Sequence, residues 1–430
     1  MNIRFYNANI LTLEKGFEIT QGELWVKGNR IIHVGEVHRE KRSYDEAAIV
    51  WDREINVEGN LIMPGFKNAH THSGMTFLRS YTDDLPLHEW LNNSIFPLEA
   101  KLTPEDIYYT SKLAILEYLS SGITANFDMY LTPDTIAEAS IDCGFRTVQT
   151  GAIHDHSQSL EQLECWFRKY NNYHELHSFI LGFHAEYTCS KELLMGISEL
   201  AHTYKSPVFS HNSETLSEVK ECINRNYATP TQYFEDLGLF DYGGGGYHCT
   251  FVTEDDLHIF KRKGLSFVTC PASNAKLASG IAPVQKAVDM GINVAIGTDG
   301  PASNNSLDMF REMYLASVLA KLREKEPTVG KAENILYMAT VGSARAMGLN
   351  ECDTIAEGKL ADLIIIDLND PNMQPLNNIV NNLVYAGNKQ NVKLTMVNGR
   401  ILYENGEYYI GSDIHEIYEK VNQIIRRISA

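Results

Sequence analysis

The stretch Leu61-Ile62-Met63-Pro64-Gly65-Phe66-Lys67-Asn68-Ala69-His70-Thr71-His72-Ser73 decides how the rest of the chain is read. It is a short apolar run ending in two histidines one residue apart. Side chains at i and i+2 of a strand lie on one face, so His70 and His72 can reach one point together. Neutral imidazole is a good zinc ligand, and two of them make half of a tetrahedral site. Taken alone, the pair reads equally well as two polar edge residues. The missing ligands have to come from elsewhere in the chain.

Downstream of the pair, residues 61–356 alternate short apolar runs with helical patterns. One helix is well marked: Thr103 is placed to cap it, Pro104 opens its first turn, and Gly122 stands where it ends. Strand candidates follow at Ile123–Met129, Thr147–Ile153, Phe179–His184, Pro207–His211, Gly246–Thr250, Leu265–Cys270 and Asn293–Thr298. With the opening stretch they make eight, each separated by enough chain for a helix. That alternation, over a span near the roughly 250 residues of a typical barrel, predicts an α/β fold of the (β/α)8 TIM-barrel type. No G-x-G-x-x-G opens a helix after an early strand, and Gly243–Gly246 precedes no Lys-Ser/Thr pair, so neither a dinucleotide fold nor a P-loop is expected.

The two ends of the chain resemble each other. Gly22–Gly35 reads as two strands around a Gly-Asn turn, Ala361–Asp367 as a strand, and Val392–Tyr403 as a hairpin turning at Asn398-Gly399. Neither end carries much core of its own. Residues 1–60 and 357–430 are therefore expected to form one composite β-sandwich domain, divided by the barrel at 61–356.

Composition bounds the partners. A formal charge of −18 argues against a nucleic-acid partner. No stretch is long and apolar enough to cross a membrane, and the N-terminus lacks the layout of a signal peptide. The seven cysteines are scattered and never spaced C-x-x-C, which fits reduced thiols in a cytoplasmic protein. A homo-oligomer is compatible with all of this.

Catalytic groups of a barrel sit at the C-terminal ends of its strands. Here those ends carry His70/His72, Asp128, His154/Asp155/His156, His184, His211, His248 and Asp299. His70, His72, His211 and Asp299 offer three nitrogens and one carboxylate to a single ion, leaving room for water, whose pKa zinc can bring to about 7. Glu214, three residues past His211, can shuttle protons, and His248 can orient the water or steady charge at the attacked centre. Strand four ends in His184-Ala185-Glu186 rather than a lysine, so one metal is expected instead of two bridged by a carboxylated lysine. The H-x-E and P-C-x-x-C signature of cytidine-type deaminases is absent.

These residues resemble the amidohydrolase superfamily, and within it the branch that deaminates adenosine-type nucleosides. The resemblance runs along nearly the whole chain. It is carried by Met63-Pro64-Gly65 with His70-Thr71-His72, Asp83–Leu87 with Glu89-Trp90-Leu91, Pro97-Leu98-Glu99, Tyr187–Ser190, His211 with Ser213-Glu214-Thr215, Pro271–Asn274 with Lys276-Leu277, and Gly297–Gly300 with Ala302–Asn305. It implies one divalent metal, zinc with iron as the alternative, on His70, His72, His211 and Asp299. It implies acid/base work by Glu214, His248 and Asp299, ribose hydroxyls on Glu99, substrate contact by His184, and Trp90 near the sugar or 5′ group. The implied reaction is hydrolytic deamination of a 6-aminopurine nucleoside such as adenosine, 5′-deoxyadenosine, 5′-methylthioadenosine or S-adenosylhomocysteine.

The chain departs from this branch after strand three. Where the branch carries arginines for the far end of the substrate, this chain has Ala152-Ile153-His154-Asp155-His156, which leaves the 5′ substituent open. His154 and His156 form a second His-x-His, read as rim or surface residues since no further ligands are spaced to join them. Two rivals follow: a related aminohydrolase or chlorohydrolase acting on guanine, a triazine or another amino-heterocycle, and a non-catalytic barrel scaffold. A scaffold is expected to have lost ligands, and here all are present.

Overall fold

The computed structural model describes residues 1–36 and 49–429; residues 37–48, within the N-terminal segment, lie outside the described residues. Eight parallel strands follow one another in chain order around a barrel, Phe66–Thr71, Ile123–Met129, Arg146–Thr150, His177–Gly182, Val208–Asn212, Gly244–His248, Ser266–Thr269 and Asn293–Ile296. The last strand returns to the first. Asn68 and Thr298 exchange two hydrogen bonds of 2.7 and 2.9 Å, and the Asp299 amide donates to the His70 carbonyl at 2.9 Å. The expected (β/α)8 barrel is thus the architecture.

Every strand sends an apolar side chain into the barrel interior: Ala69, Phe127, Val148, Ile180, Phe209, Tyr247, Val268 and Ala295. A larger core lies outside, between strands and helices, with Phe66, Ile123, Phe145, Phe179, Phe260 and Phe267 among its members. Burial on both faces is what parallel strands require, and it explains their continuous apolar reading. The helix expected after Thr103 spans Pro104–Ser120, with Thr103 and Asp106 closing a reciprocal capping box.

The sixth strand differs from its expected limits. It begins at Gly244, where an added Cβ would lie 1.9 Å from the Val208 carbonyl oxygen. The glycines are there because the neighbouring strand leaves no space, and a strand without side chains carries no periodicity to read.

The terminal segments share one nine-stranded sheet, to which the chain ends contribute Asn2–Leu11, Ile19–Lys27, Arg30–Gly35, Arg53–Asn56, Leu363–Ile366, Val392–Val397, Arg400–Glu404 and Glu407–Tyr408. Its ninth strand is Leu61–Pro64, paired with Leu363–Ile366 on one side and with Asn9 and Ile10 on the other. One residue, Gly65, separates this strand from the first barrel strand, and a Cβ there would lie 2.1 Å from Thr124. The opening stretch therefore serves both sheets. A buried ion pair, Arg146 to Asp362 at 2.7 Å, ties barrel to sheet nearby.

Over the barrel mouth lies a roof made by one unbroken helical run, Leu87–Trp90, Leu91–Ile95 and Phe96–Glu99, whose middle part is wound as a π-helix. Its apolar side, Trp90, Leu91, Ile95 and Leu98, packs against Val421, Ile424 and Ile428 of the C-terminal helix Ile414–Ser429.

Candidate active site

Sharp turns at the strand ends aim the polar residues inward. Ser213, His248 and Asp299 all have positive φ, at 52°, 67° and 61°. L-residues occupy that region at a cost of order 1 kcal/mol or more each, and such outliers gather at functional sites. Two overlapping groups result, His70/His211/His248 and His70/His72/Asp299, within each of which the ligand atoms lie within 4.8 Å of one another. His70 belongs to both.

The rings are oriented from behind. His72 Nδ1 donates to the Met129 carbonyl at 2.5 Å and His211 Nδ1 to the His184 carbonyl at 2.7 Å, so each presents Nε2 to the centre. Such backing bonds fix the tautomer of a ligating histidine. His70 is fully buried, and neither of its ring nitrogens has a hydrogen-bond partner. It stacks on Tyr247 with ring centroids 3.8 Å apart. A buried, unpartnered imidazole is costly in a protein interior, and a metal ion satisfies it. Donor set, separations and orphaned nitrogens fit one divalent cation.

Asp299 Oδ1 lies 3.2 Å from His72 Nε2 and 3.6 Å from His70 Nε2. Its other oxygen accepts the hydroxyls of Ser273 and Ser303, each at 2.6 Å. Burial opposes the carboxylate, but His72 and the surrounding histidines outweigh it and hold the carboxyl well below its ordinary range. His72 responds in kind: burial lowers it, and Asp299 with the Met129 carbonyl raises it to about 9. Burial and its neighbours keep His70 and His211 neutral, as ligation requires.

Glu214 Oε1 faces His248 Nδ1 across 4.0 Å, and Asn274 Oδ1 accepts from that nitrogen at 2.8 Å. His184 Nδ1 lies 2.9 Å from Thr188 Oγ1, whose own hydrogen goes to the Ala185 carbonyl. His184 Nδ1 is therefore the donor, leaving Nε2 as an acceptor. Burial first, then the neighbouring histidines, push His184 down to about 3, so it is neutral at any working pH.

These groups form the floor of a cavity whose walls include Met75, Leu87, Trp90, Phe96, Leu131 and Leu277. An apolar-walled chamber with a few fixed polar groups suits a small organic ligand. From the roof, buried Glu99 reaches the cavity with Oε1 unpartnered, and burial raises its carboxyl to about 7. The Trp90 indole N–H is spent on the Thr82 carbonyl at 2.9 Å, so Trp90 offers the cavity only its ring.

The structure brings together His70, His72, His211, Asp299, Glu214, His248, His184, Glu99 and Trp90 around this one cavity. Asp128 stands apart. It accepts the Ser73 amide at 3.0 Å and braces the turn after His72. His154 lines the cavity, while His156 lies on the open groove beyond it, and neither joins a metal-ligand group among the described residues. Tyr247 carries no signal of its own in the sequence, whereas Ser303 lies in the Ala302–Asn305 segment that carries the resemblance, with no role read for it there.

The amidohydrolase family profile matches residues 61–402, from the opening stretch through the barrel and into the terminal sheet. The chain belongs to the amidohydrolase family. Among amidohydrolases it is 37% identical over 410 residues to a 5-methylthioadenosine/S-adenosylhomocysteine deaminase of Caldicellulosiruptor saccharolyticus, covering 94% of each chain. The solved structure of an adenosine deaminase from Xanthomonas campestris with bound zinc superposes with a TM-score of 0.92 at 31% identity, over 100% of this chain and 98% of that one. An atrazine chlorohydrolase of Arthrobacter aurescens, solved with zinc, shares the amidohydrolase fold at TM-score 0.88 and 21% identity, over 98% of this chain and 100% of the other.

Proposed function

We propose that this amidohydrolase hydrolytically deaminates 6-aminopurine nucleosides, releasing ammonia and the 6-oxopurine. The observation that carries the reading is a strand-end ligand and acid/base set beneath a cavity whose roof holds one buried carboxylate with a free oxygen. Relatives of matching length named as deaminases of such nucleosides support it.

His70, His72, His211 and Asp299 hold one divalent metal, zinc as in the adenosine deaminase neighbour, with His248 beside them. When bound, the ion supplies a Lewis acid that lowers the pKa of water toward 7. The residues do the rest. Asp299 takes the proton of the attacking water, kept in place for that task by Ser273 and Ser303. Glu214 passes a proton to the ring nitrogen next to C6, so that the ring does not accumulate negative charge as the oxygen adds. His248, held by Asn274, hydrogen-bonds the arriving oxygen. As the C–N bond at C6 breaks, Asp299 hands its proton to the amino group, which leaves as ammonia; the proton still on the added oxygen returns to Glu214, and the oxygen stays as the 6-oxo group.

Glu99 and neutral His184 are both acceptors, which suits the two hydroxyls of a ribose. Trp90 lies along the sugar and the 5′ group. All seven cysteines are free, supporting a cytoplasmic setting. We take the composite terminal unit, 1–60 with 357–430, as a separate domain from the barrel at 61–356.

The test is ammonia release from the zinc-loaded protein across adenosine, 5′-deoxyadenosine, 5′-methylthioadenosine, S-adenosylhomocysteine, guanine and an aminotriazine. Turnover of the nucleosides is expected. Activity confined to guanine or the triazine would overturn the reading in favour of another aminohydrolase, and a folded protein binding no metal would favour the scaffold.

A further inference from the structure

We propose that Glu312 is a positioning residue that clamps together the two segments holding Asp299 and His248; the inference rests on the roles just given to that pair. Glu312 is fully buried in the first turn of the helix Met309–Glu324, outside the cavity. Its two carboxyl oxygens go to different segments, the short helix Pro271–Lys276 and the turns that follow Asp299. Oε2 accepts the Ala272 amide at 3.0 Å, and Oε1 accepts Asn304 Nδ2 at 2.7 Å.

Each of those segments acts on the site. Next to Ala272, Ser273 donates to Asp299 Oδ2 at 2.6 Å, and Asn274 takes the His248 Nδ1 hydrogen at 2.8 Å. Beside Asn304, Ser303 donates to the same Asp299 oxygen at 2.6 Å, while Asn304 also bonds the Thr298 carbonyl at 2.7 Å. One carboxyl group thus sets the separation of the helix Pro271–Lys276 and the turns after Asp299, which together aim both groups. Burial lifts it to about 8. Burying a carboxyl group costs free energy that helix packing alone does not require, whereas a small misplacement of reacting groups costs rate steeply.

The experiment compares Glu312→Gln and Glu312→Ala with Ser317→Ala, a control on the same helix whose buried hydroxyl bonds only the Gly330 carbonyl and the Tyr385 hydroxyl. E312Q keeps one acceptor and turns an amide N–H toward the other donor. We expect kcat to fall about 10–100-fold with metal content unchanged, as for other groups that orient ligands from behind. KM should stay within about threefold, since the ground state does not use the clamp. Affinity for a purine riboside analogue with a tetrahedral, hydroxyl-bearing C6 should fall by the same factor as kcat. S317A should lose stability and leave the ratio of analogue to substrate affinity unmoved. If E312Q lost only stability, with kcat and analogue affinity as in wild type, Glu312 would be a packing residue and the proposal would be wrong.

Crystal structures of wild type and E312Q read the same inference without activity. Lengthened Ser273–Asp299 and Asn274–His248 contacts support it, and unchanged contacts overturn it. A wild-type enzyme inert on every nucleoside would remove the functional reading while leaving this measurement intact.

Discussion

The floor of the cavity and its roof are made of different materials. On the floor, strand ends carry histidines whose back nitrogens are tied to the carbonyls of neighbouring strands, and an aspartate held by two serines. In the roof, one helical run offers Trp90 and Glu99 and shares an apolar cluster with the C-terminal helix. Hydrogen bonds to a barrel fix atoms closely, as chemistry demands. Apolar packing fixes a shape and tolerates exchange, as substrate choice demands. On the proposed function, the floor runs the reaction and the roof selects its substrate.

The largest expected effect breaks the floor. Asp299→Ala should reduce turnover by more than about 10^4-fold, because it removes a ligand and a proton acceptor together. Metal analysis alongside the rate checks it: metal content should fall with activity. Glu214→Gln comes next, with kcat lowered about 10^2–10^4-fold and metal content retained, since the residue moves a proton without holding the ion. A bound-metal assay on the purified variant separates the two.

Breaking the roof should look different. Ile424→Ala opens a cavity in the apolar cluster that Trp90 shares and should cost about 2–4 kcal/mol in chemical denaturation, with KM raised and kcat per bound metal close to wild type. An equal loss in kcat would mean that roof and floor are not separable. The smallest effect concerns pH. Burial raises Glu99 from 4.5 to about 7, so the folded protein holds that proton more tightly than the unfolded chain. Stability from this group is then full below pH 4.5 and is lost as pH rises through 7. Glu99→Gln, which cannot ionise, should be more stable than wild type at pH 8 by up to about 3 kcal/mol, with no gain below pH 4.5. Binding runs the other way: the carboxylate is the better ribose acceptor, so wild-type KM should fall as pH rises through 7, and E99Q should show no such fall.

The floor was far more legible in the sequence than the roof. His70, His72, His211, Glu214, His248 and Asp299 could be placed because strand order and strand ends follow from apolar periodicity, and a barrel turns that order into a circle. Strands such as Ile123–Met129 have the limits expected, whereas Gly244–His248 lost its periodicity to glycine. The roof left little trace. Its one helical run, residues 87–99, is wound as a π-helix over Leu91–Ile95, which breaks the 3.6-residue repeat, and Trp90 and Glu99 were found only through resemblance. Supporting groups fared unevenly. Glu218, which accepts the amides of Ser213, Glu214 and Thr215, could have been found from the Thr215-x-x-Glu218 capping pattern. Glu312 has no such pattern, because its partners are distant in sequence.

The bonds behind His72 and His211 bear on the order in which the molecule is assembled. Each ring is set by a carbonyl of a neighbouring strand or its flank, Met129 and His184, and Asp299 arrives only after the eighth strand. A growing chain that has made the first hundred or so residues owns His-x-His but nothing to aim it, and no shorter segment holds a competent ion site. Capture of the metal therefore waits for barrel closure. A bound ion certifies a finished fold, and a half-made chain does not compete with folded molecules for the metal.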